Sequence, residues 1–190
     1  ANSVYQLKNE LEKRGHQVYV FTASNPDITQ KEHHVYRMKS VPFFLMKDRR
    51  VSFYVTKMWY QTVAGLHLDI IHTQTEFVMG HMGRKLARKF GIPLVHTYHT
   101  IYEDYTHYLR VPGNEKLKGL IRLFSKSCCE KADQVIVPTE KVKELLDSYG
   151  VRRPVFVQPT GISLSKFGYV NWNLVTKIRS QYGLTEKHHI

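Results

Sequence analysis

Polar and titratable side chains cluster where the predicted strands of this 190-residue chain end. The sharpest candidate is His99, which follows the apolar segment 94–98. An imidazole at a strand end can donate a hydrogen bond to a phosphate or a sugar hydroxyl, and its charge changes near neutral pH. Because ligands of open parallel sheets bind beyond the carboxyl ends of the strands, we predict His99 as a catalytic residue. The alternative is a histidine that bonds only to backbone.

Other loop residues each have a functional and a structural interpretation. Glu103 and Asp104 can orient a substrate hydroxyl, although paired carboxylates in a loop are more often solvated. Thr139 either contacts a ligand or caps the helix that follows it, and capping is the favoured interpretation. Gly161 either permits close approach of the backbone to a ligand or makes a turn.

Hydrophobic spacing predicts the elements that must position these loops. The chain opens on a helix with Ser3 as its N-cap, and a loop surrounds Pro42. The predicted strands are residues 17–22, 34–38, 69–72, 94–98, 134–137 and 155–158, and the later helices are 53–68, 78–90, 116–131, 140–149 and 172–182. Short strands that alternate with helices predict an α/β fold, a doubly wound and mostly parallel sheet with helices on both faces. Because such domains normally begin with a central strand, we expect a strand before Ala1.

Positive charge is concentrated in two segments that also carry apolar residues. Lysine and arginine number 28 against 16 acidic residues, and the net charge of +12 favours an anionic partner such as nucleic acid, anionic lipid or a phosphorylated small molecule. Aromatic residues interleaved with bases suit a bilayer interface. The predicted membrane-binding residues are Phe43, Phe44, Lys47, Arg49, Arg50, Lys57 and Trp59, with Lys118, Arg122 and Lys126 on a later helix. The ordinary alternative for that helix is packing on the sheet with its charged face in solvent.

Several common types of site lack their sequence signals. Cys128 and Cys129 are adjacent and cannot form a disulfide framework, so a reducing compartment is expected. HExxH and CxxC spacings are absent, and His96 and His99 face opposite sides of a strand, so no metal site is predicted. The chain also lacks a GxGxxG fingerprint and a P-loop, which argues against a conventional dehydrogenase or P-loop enzyme. No apolar run is long enough to span a bilayer.

Five segments resemble the N-terminal half of a known enzyme family. They are residues 5–18, 69–77 (DIIHTQTEF), 96–105 (HTYHTIYEDY), 132–139 (ADQVIVPT) and 159–162 (PTGI) with Phe167. Together they resemble the retaining glycosyltransferases built from two facing Rossmann-like domains, the GT-B architecture. Segments 69–77 and 96–105 are most similar to the bacterial diacylglycerol glucosyltransferases.

The resemblance implies transfer of glucose from UDP-glucose to diacylglycerol, or to glucosyl-diacylglycerol, with retained configuration and without a metal or other cofactor. It also implies a cytoplasmic enzyme held peripherally on the anionic inner face of the cell membrane. His99 matches the histidine that lies near the donor sugar and its phosphates, where it would stabilise the charge of the leaving group. The predicted substrate-binding residues are Thr75, Glu76, Tyr98, Thr100, Glu103, Tyr105, Thr139 and Gly161. Among them, the resemblance matches Thr75 and Glu76 to the loop that faces the cleft and Gly161 to the crossover into the second domain.

The same resemblance divides the chain into two parts. Residues 1–161 are expected to form a Rossmann-like domain on the acceptor and membrane side that lacks its first strand. Residues 162–190 are expected to be an interdomain linker and the start of a C-terminal donor-binding domain, most of which lies outside this chain. We therefore expect that this chain alone does not catalyse transfer.

Two other functions stay open from the sequence. A glycosyltransferase of the same fold can act on a soluble, capsule or cell-wall acceptor, and it would then show no salt-sensitive binding to lipid. A non-enzymatic basic module that binds nucleic acid is the more distant alternative, because the recognition motifs of such folds are absent. Nucleic acid is therefore not expected as a partner.

Overall fold

Helices and strands alternate along most of the chain. The structure is a computed structural model that describes residues 2–28, 32–43, 46–52, 57–103, 115–161, 164, 168–185 and 187–188. Its strands are β1 (Val20–Ala23), β2 (Val35–Met38), β3 (Val41–Phe43), β4 (Met46–Val51), β5 (Ile71–Thr73), β6 (Leu94–Thr97), β7 (Gln134–Val137) and β8 (Val155–Val157). Its helices are α1 (Asn2–Lys13), α2 (Lys57–Leu66), α3 (Val78–Phe90), α4 (Glu115–Cys129), α5 (Glu140–Ser148) and α6 (Trp172–Gln181).

The largest sheet has four parallel strands in the order β5-β6-β7-β8. Its register places Ile71 opposite Leu94 and Val95 opposite Gln134. Strands β1 and β2 form a second, two-stranded parallel sheet. Helices join the consecutive parallel strands of the larger sheet, as right-handed crossover connections require. The prediction of a parallel α/β sheet flanked by helices is thus confirmed.

Two local predictions are wrong. The predicted loop around Pro42 is an antiparallel hairpin of β3 and β4, in which Pro42 lies opposite Arg50. Proline is tolerated in such an edge strand because its ring nitrogen need not donate to a neighbour. The sequence of β4 is mostly polar and lacks the alternation of apolar residues that predicts a strand, so hydrophobic spacing does not predict β4. Ser3 lies inside the first turn of α1, which already begins at Asn2, and is not an N-cap.

Two cores hold the layers together. The first core forms where β6 and β7 meet α4 and α5, and it includes Tyr98, Cys129, Val135, Val137 and Leu146. The second core forms where β1 and β2 meet α2 and α3, and it includes Met38, Trp59, Val63, Met82 and Leu86. Among the described residues no helix is both long and apolar enough to cross a membrane.

Helix α3 contributes to both cores, and two glycines let it lie close to β5. A Cβ on Gly80 would come within 1.7 Å of the Thr75 carbonyl oxygen, and one on Gly83 within 2.4 Å of Thr73 Cγ2. Both contacts are shorter than any that a real side chain makes, so the helix can reach this position only with glycine there. Gly91 then ends the helix in the left-handed conformation, with φ of 66°.

Substitution of Gly80 by alanine is expected to destabilise the fold. The new methyl group would push α3 away from the backbone of the loop after β5, a change that costs about 1–3 kcal/mol for an overpacked site. The matched control is Gly119→Ala in α4, where a Cβ meets nothing within 4 Å. Alanine there is expected to be neutral or to stabilise the helix by up to about 1 kcal/mol. Urea unfolding of both variants measures the difference, and equal free energies of unfolding would contradict the close-packing role of Gly80.

Candidate functional site

The carboxyl ends of β5 and β6 bring together most of the titratable groups that the sequence singled out. Residues 74–77 follow β5 and residues 98–103 follow β6, and the two strands are direct neighbours in the sheet. Side chains alternate between the faces of a strand, so these groups separate into two layers. One layer contains His99 and opens to solvent, and the other contains Glu76 and is buried.

A chain of hydrogen bonds orients His99 in the open layer. His99 Nε2 lies 2.6 Å from the side-chain oxygen of Gln74, and Gln74 Nε2 lies 2.9 Å from His72 Nε2. His72 Nε2 is in turn 2.7 Å from the hydroxyl of Thr97. Because an amide oxygen can only accept, His99 must donate from Nε2. The other ring nitrogen of His99, Nδ1, makes no hydrogen bond within the described part of the chain.

The histidines of the open layer are neutral near neutral pH. Burial, with the nearby rings of His96 and His99, lowers the pKa of His72 to about 4. Burial also lowers the pKa of His99, and the effect of His96 adds to it, while Glu76 opposes the shift. An anionic ligand beside His99 would reverse this shift and favour the imidazolium, in which both nitrogens donate. An anion bound there would therefore favour a positive charge on His99.

A buried carboxylate organises the second layer. Glu76 is only 3% exposed and accepts a hydrogen bond from the hydroxyl of Tyr102. Its other oxygen lies 3.5 Å from Nε2 of His96, a ring that is 1% exposed. The Nδ1 atom of His96 is 2.8 Å from the hydroxyl of Thr73 on β5. Arg84 of α3 completes the arrangement, donating from Nη2 to the Glu76 carbonyl oxygen at 2.8 Å.

These partners keep Glu76 ionised in spite of its burial. Burial alone would raise the pKa of the carboxyl, but the neighbouring His96 ring and the hydrogen bond from Tyr102 outweigh it and hold the pKa below its ordinary value of 4.5. Burial and the neighbouring Glu76 carboxylate raise the pKa of the Tyr102 phenol. Tyr102 is therefore a proton donor to Glu76 at every physiological pH.

The structure places the predicted substrate-binding residues in three different settings. Thr75 and Thr100 are half-buried in the loops beside His99. Tyr98 is fully buried, with its hydroxyl 3.0 Å from that of Ser125, so it supports the core and cannot contact a ligand directly. Glu103 binds Arg122 of α4 through its carboxylate.

The remaining predicted substrate-binding residues either follow β7 and β8 or lie outside the described residues. Thr139 caps α5, with its hydroxyl accepting from the backbone N–H of Val142 at 3.3 Å, so the favoured capping interpretation is confirmed. Gly161 is exposed, and a Cβ there would meet nothing within 4 Å. Tyr105 lies outside the described residues, as does Asp104.

The sequence did not identify the residues that position His99 and Glu76. His72, Gln74, Thr97 and Tyr102 carry the two networks, and His96 was considered only as a metal ligand. A signal was present, because His72 and Thr97 fall on one face of neighbouring strands while His96 and Thr73 fall on the other. This pattern predicts the two networks only when the register between β5 and β6 is known, and only the structure supplies that register. Within the described residues no group of three potential metal ligands occurs.

The residues predicted to bind the membrane also lie in different settings. Trp59 is 5% exposed and packs edge-on against Phe21, with a ring separation of 5.4 Å, so its assignment to a membrane surface is wrong. Helix α2 turns this large apolar ring toward β1, because burying the ring in the core is more favourable in free energy than leaving it exposed at the surface. Arg50 donates to the hydroxyl and carbonyl of Ser40 at 2.8 Å each. Lys57 is exposed. Phe44 lies outside the described residues, as do the side chains of Phe43, Lys47 and Arg49.

Helix α4 exposes apolar side chains rather than a purely charged face. Ser125, Cys128 and Cys129 point into the core, whereas Leu120 and Leu123 are each 64% exposed. The basic residues of this helix are partly neutralised or covered. Lys118 pairs with Glu115 at 2.9 Å, Arg122 binds Glu103, and Lys126 is half-buried.

Three aromatic rings connect this apolar surface to the site. Phe77 stacks on Phe124 of α4 with a ring separation of 6.0 Å and meets Tyr102 edge-on at 5.6 Å. Phe77 is 57% exposed and Phe124 is 40% exposed. Because Tyr102 lies in the same loop as His99, the aromatic cluster of Phe77, Tyr102 and Phe124 connects α4 to that loop.

Comparison with known proteins places this chain in a family. The family model described as Glycosyltransferase Family 4 matches residues 1–166. Alpha-monoglucosyldiacylglycerol synthase from Streptococcus pneumoniae is 39% identical over 189 residues, which cover 98% of this chain and 43% of that protein. The protein of the same name from Acholeplasma laidlawii is 35% identical over 176 residues, covering 87% of this chain and 43% of that protein. The chain thus spans less than half the length of these curated relatives.

A solved structure supports the same fold. Sucrose-phosphate synthase from Thermosynechococcus elongatus superposes with a TM-score of 0.62 over 97% of this chain and 47% of its own length. The sequence identity is 22%, so this likeness concerns the architecture alone.

Replacement of the buried carboxylate is expected to change the response of stability to pH. The pKa of Glu76 is lower in the folded chain than its ordinary value of 4.5, so its contribution is complete above that pH and is lost as the pH falls through the folded value. Glu76→Gln is therefore expected to cost about 1–3 kcal/mol at pH 7, a cost that shrinks on acidification. Thermal unfolding between pH 7 and pH 3 measures this, with exposed Glu144→Gln as the control. A cost for Glu76→Gln that stays constant with pH would contradict an ionised Glu76.

Proposed function

Because the chain belongs to glycosyltransferase family 4, we propose that it is the acceptor-side half of an enzyme that transfers glucose from UDP-glucose to diacylglycerol or glucosyl-diacylglycerol. Residues 1–161 form this half, and the donor nucleotide is held mainly by a second domain outside the chain. Transfer proceeds with retention of configuration at the anionic cytoplasmic surface of the membrane. The names of the two relatives with 39% and 35% identity support the lipid acceptor.

One structural observation favours a lipid over a soluble acceptor. The aromatic cluster of Phe77, Tyr102 and Phe124 joins the exposed leucines of α4 to the loops around His99. An exposed apolar patch beside a polar site suits a molecule with an acyl portion and a hydroxyl headgroup. In this arrangement the acyl chains lie along α4 and the hydroxyl reaches the open layer of the site.

His99 acts on the charge that develops on the leaving group. When the sugar–phosphate bond breaks, the diphosphate gains negative charge, and a donor aimed at it lowers the barrier. The relay through Gln74 and His72 fixes the His99 ring and leaves Nδ1 free for the ligand. The acceptor hydroxyl attacks from the face that the phosphate leaves, and the departing phosphate takes its proton. No side-chain nucleophile and no metal are needed for this step.

Removal of the His99 imidazole is expected to lower the rate of transfer about 100-fold or more, the usual effect of losing one donor to a developing charge. The assay follows radiolabelled glucose from UDP-glucose into diacylglycerol in anionic mixed micelles, with the full-length polypeptide and its His99→Ala variant. His16→Ala replaces an exposed histidine after α1 and serves as the control. Labelled lipid that persists in His99→Ala would contradict the role of His99. Absence of labelled lipid from the unmodified enzyme would redirect the proposal to soluble, capsule or cell-wall acceptors.

The exposed leucines of α4 are expected to contribute to membrane binding. Leu120→Ser/Leu123→Ser removes two apolar side chains that would enter the bilayer interface, so the vesicle partition coefficient is expected to fall at least about tenfold. Leu174→Ser on α6, which is 52% exposed, controls for loss of an exposed leucine elsewhere. Sedimentation with anionic vesicles at low and high salt measures the effect. Equal partitioning of both variants would contradict the role of α4.

A further inference from the structure

A cavity lies at the end of the larger sheet opposite to His99. Its volume is about 750 Å³, and it opens between the C-terminal half of α3 and the turns that precede β6, β7 and β8. The turns contribute residues 91–94, Glu130, Lys131, Asp133 and Arg153 to its lining, and α3 contributes residues between 81 and 88. His99 and its relay follow the carboxyl ends of β5 and β6, so the two sites are separated by the length of the sheet.

Cations outnumber acids around the cavity. The basic lining residues are His81, Arg84, Lys85, Arg88, Lys131 and Arg153, and the acidic ones are Glu130 and Asp133. Both carboxylates are engaged by backbone. Glu130 accepts from the N–H of Arg152 at 2.5 Å, and Asp133 accepts from the N–H of Leu94 at 2.8 Å. Glu130 also pairs with Arg153, whose Nε lies 3.8 Å from its carboxylate, so the positive charge without an acidic partner comes mainly from Lys85, Arg88 and Lys131.

Several of these cations have no acidic partner. In the described part of the chain, Lys85, Arg88 and Lys131 form no ion pair, whereas the guanidinium of Arg84 is bonded to the Glu76 carbonyl at the other end of the sheet. The charges from α3 and from the α4–β7 turn also act together on the side chain of His81. Burial and the charges of Lys85, Arg84 and Lys131 lower the pKa of His81. An anion bound among these like charges would offset their mutual repulsion.

We propose that this cavity binds a phosphate-bearing anion. A phosphate group offers several acceptor oxygens, and the planar fork of an arginine and the ammonium of a lysine are the side chains that bind it best. Lys85 and Arg88 approach from α3, while Lys131 approaches from the α4–β7 turn, so one phosphate can be contacted from two elements. The cavity volume lies within the range that accommodates small ligands. The bound group is either a free phosphorylated molecule or the phosphate of a lipid headgroup.

The proposal is tested with inorganic phosphate and a local probe. In the full-length polypeptide carrying 13C-labelled histidine, NMR follows the pKa of His81 as phosphate is added, with His81→Gln to assign the signal. Bound phosphate screens the neighbouring cations, so the pKa of His81 is expected to rise on addition. Lys85→Ala/Lys131→Ala is expected to raise the pKa of His81 without ligand and to weaken the phosphate response about tenfold or more.

The matched control removes two charges elsewhere. Lys141→Ala/Lys177→Ala lowers the net charge equally at exposed positions on α5 and α6 and is expected to leave the His81 response unchanged. Sedimentation with phosphatidylglycerol vesicles compares the same two variants. A phosphate response lost only in Lys85→Ala/Lys131→Ala supports a free phosphate ligand, and vesicle binding lost only in that variant supports a lipid headgroup. If the two double variants behave alike in both measurements, the proposal is overturned.

Discussion

The ionised carboxylate of Glu76 constrains the site end of the fold. Removing a carboxylate from water costs several kcal/mol unless charged or hydrogen-bonding partners surround it. Here the partners come from separate elements: His96 at the end of β6, Tyr102 in the turn after it, and Arg84 of α3 at the main-chain carbonyl. His96 and Tyr102 must keep their positions for the charge to be tolerated, while Arg84 fixes the main chain beside it. The loop that carries His99 is therefore held at both ends, at His96 and at Tyr102.

Side chains alternate between the two faces of a strand, and this explains why neighbouring residues of β5 and β6 support both the buried layer of Glu76 and the open layer of His99. Thr73 and His96 lie opposite each other in the register of β5 and β6 and face the buried layer. His72 and Thr97 face the other way and support the relay to His99. The buried layer is a rigid support, and the open layer keeps a neutral histidine ready to gain a proton beside an anion. This separation lets the site respond to charge without exposing its supporting carboxylate.

The positive charge of the chain has a different character in three regions of the structure. Near His99 the charge is conditional, because burial keeps the histidines neutral in the absence of ligand. At the opposite end of the sheet, lysines and arginines from α3 and the α4–β7 turn hold permanent charge around a cavity. On α4 the basic residues are partly paired, and exposed leucines dominate the surface. The three regions thus offer different chemistry: a switchable donor, a fixed cationic cavity and an apolar face.

The sequence by itself determined the alternation of strand and helix, the parallel sheet and the edge where His99 lies, because these depend on local hydrophobic period and on the order of elements. The cap at Thr139 was equally local. Only the tertiary structure decided that Tyr98, Glu76 and Trp59 are buried and that Leu120 is exposed. Periodicity shows that a face is apolar, but which face meets the core depends on distant elements. The relay of His72, Gln74 and His99 likewise depends on strand register, a relation between residues about 25 positions apart that no local pattern encodes.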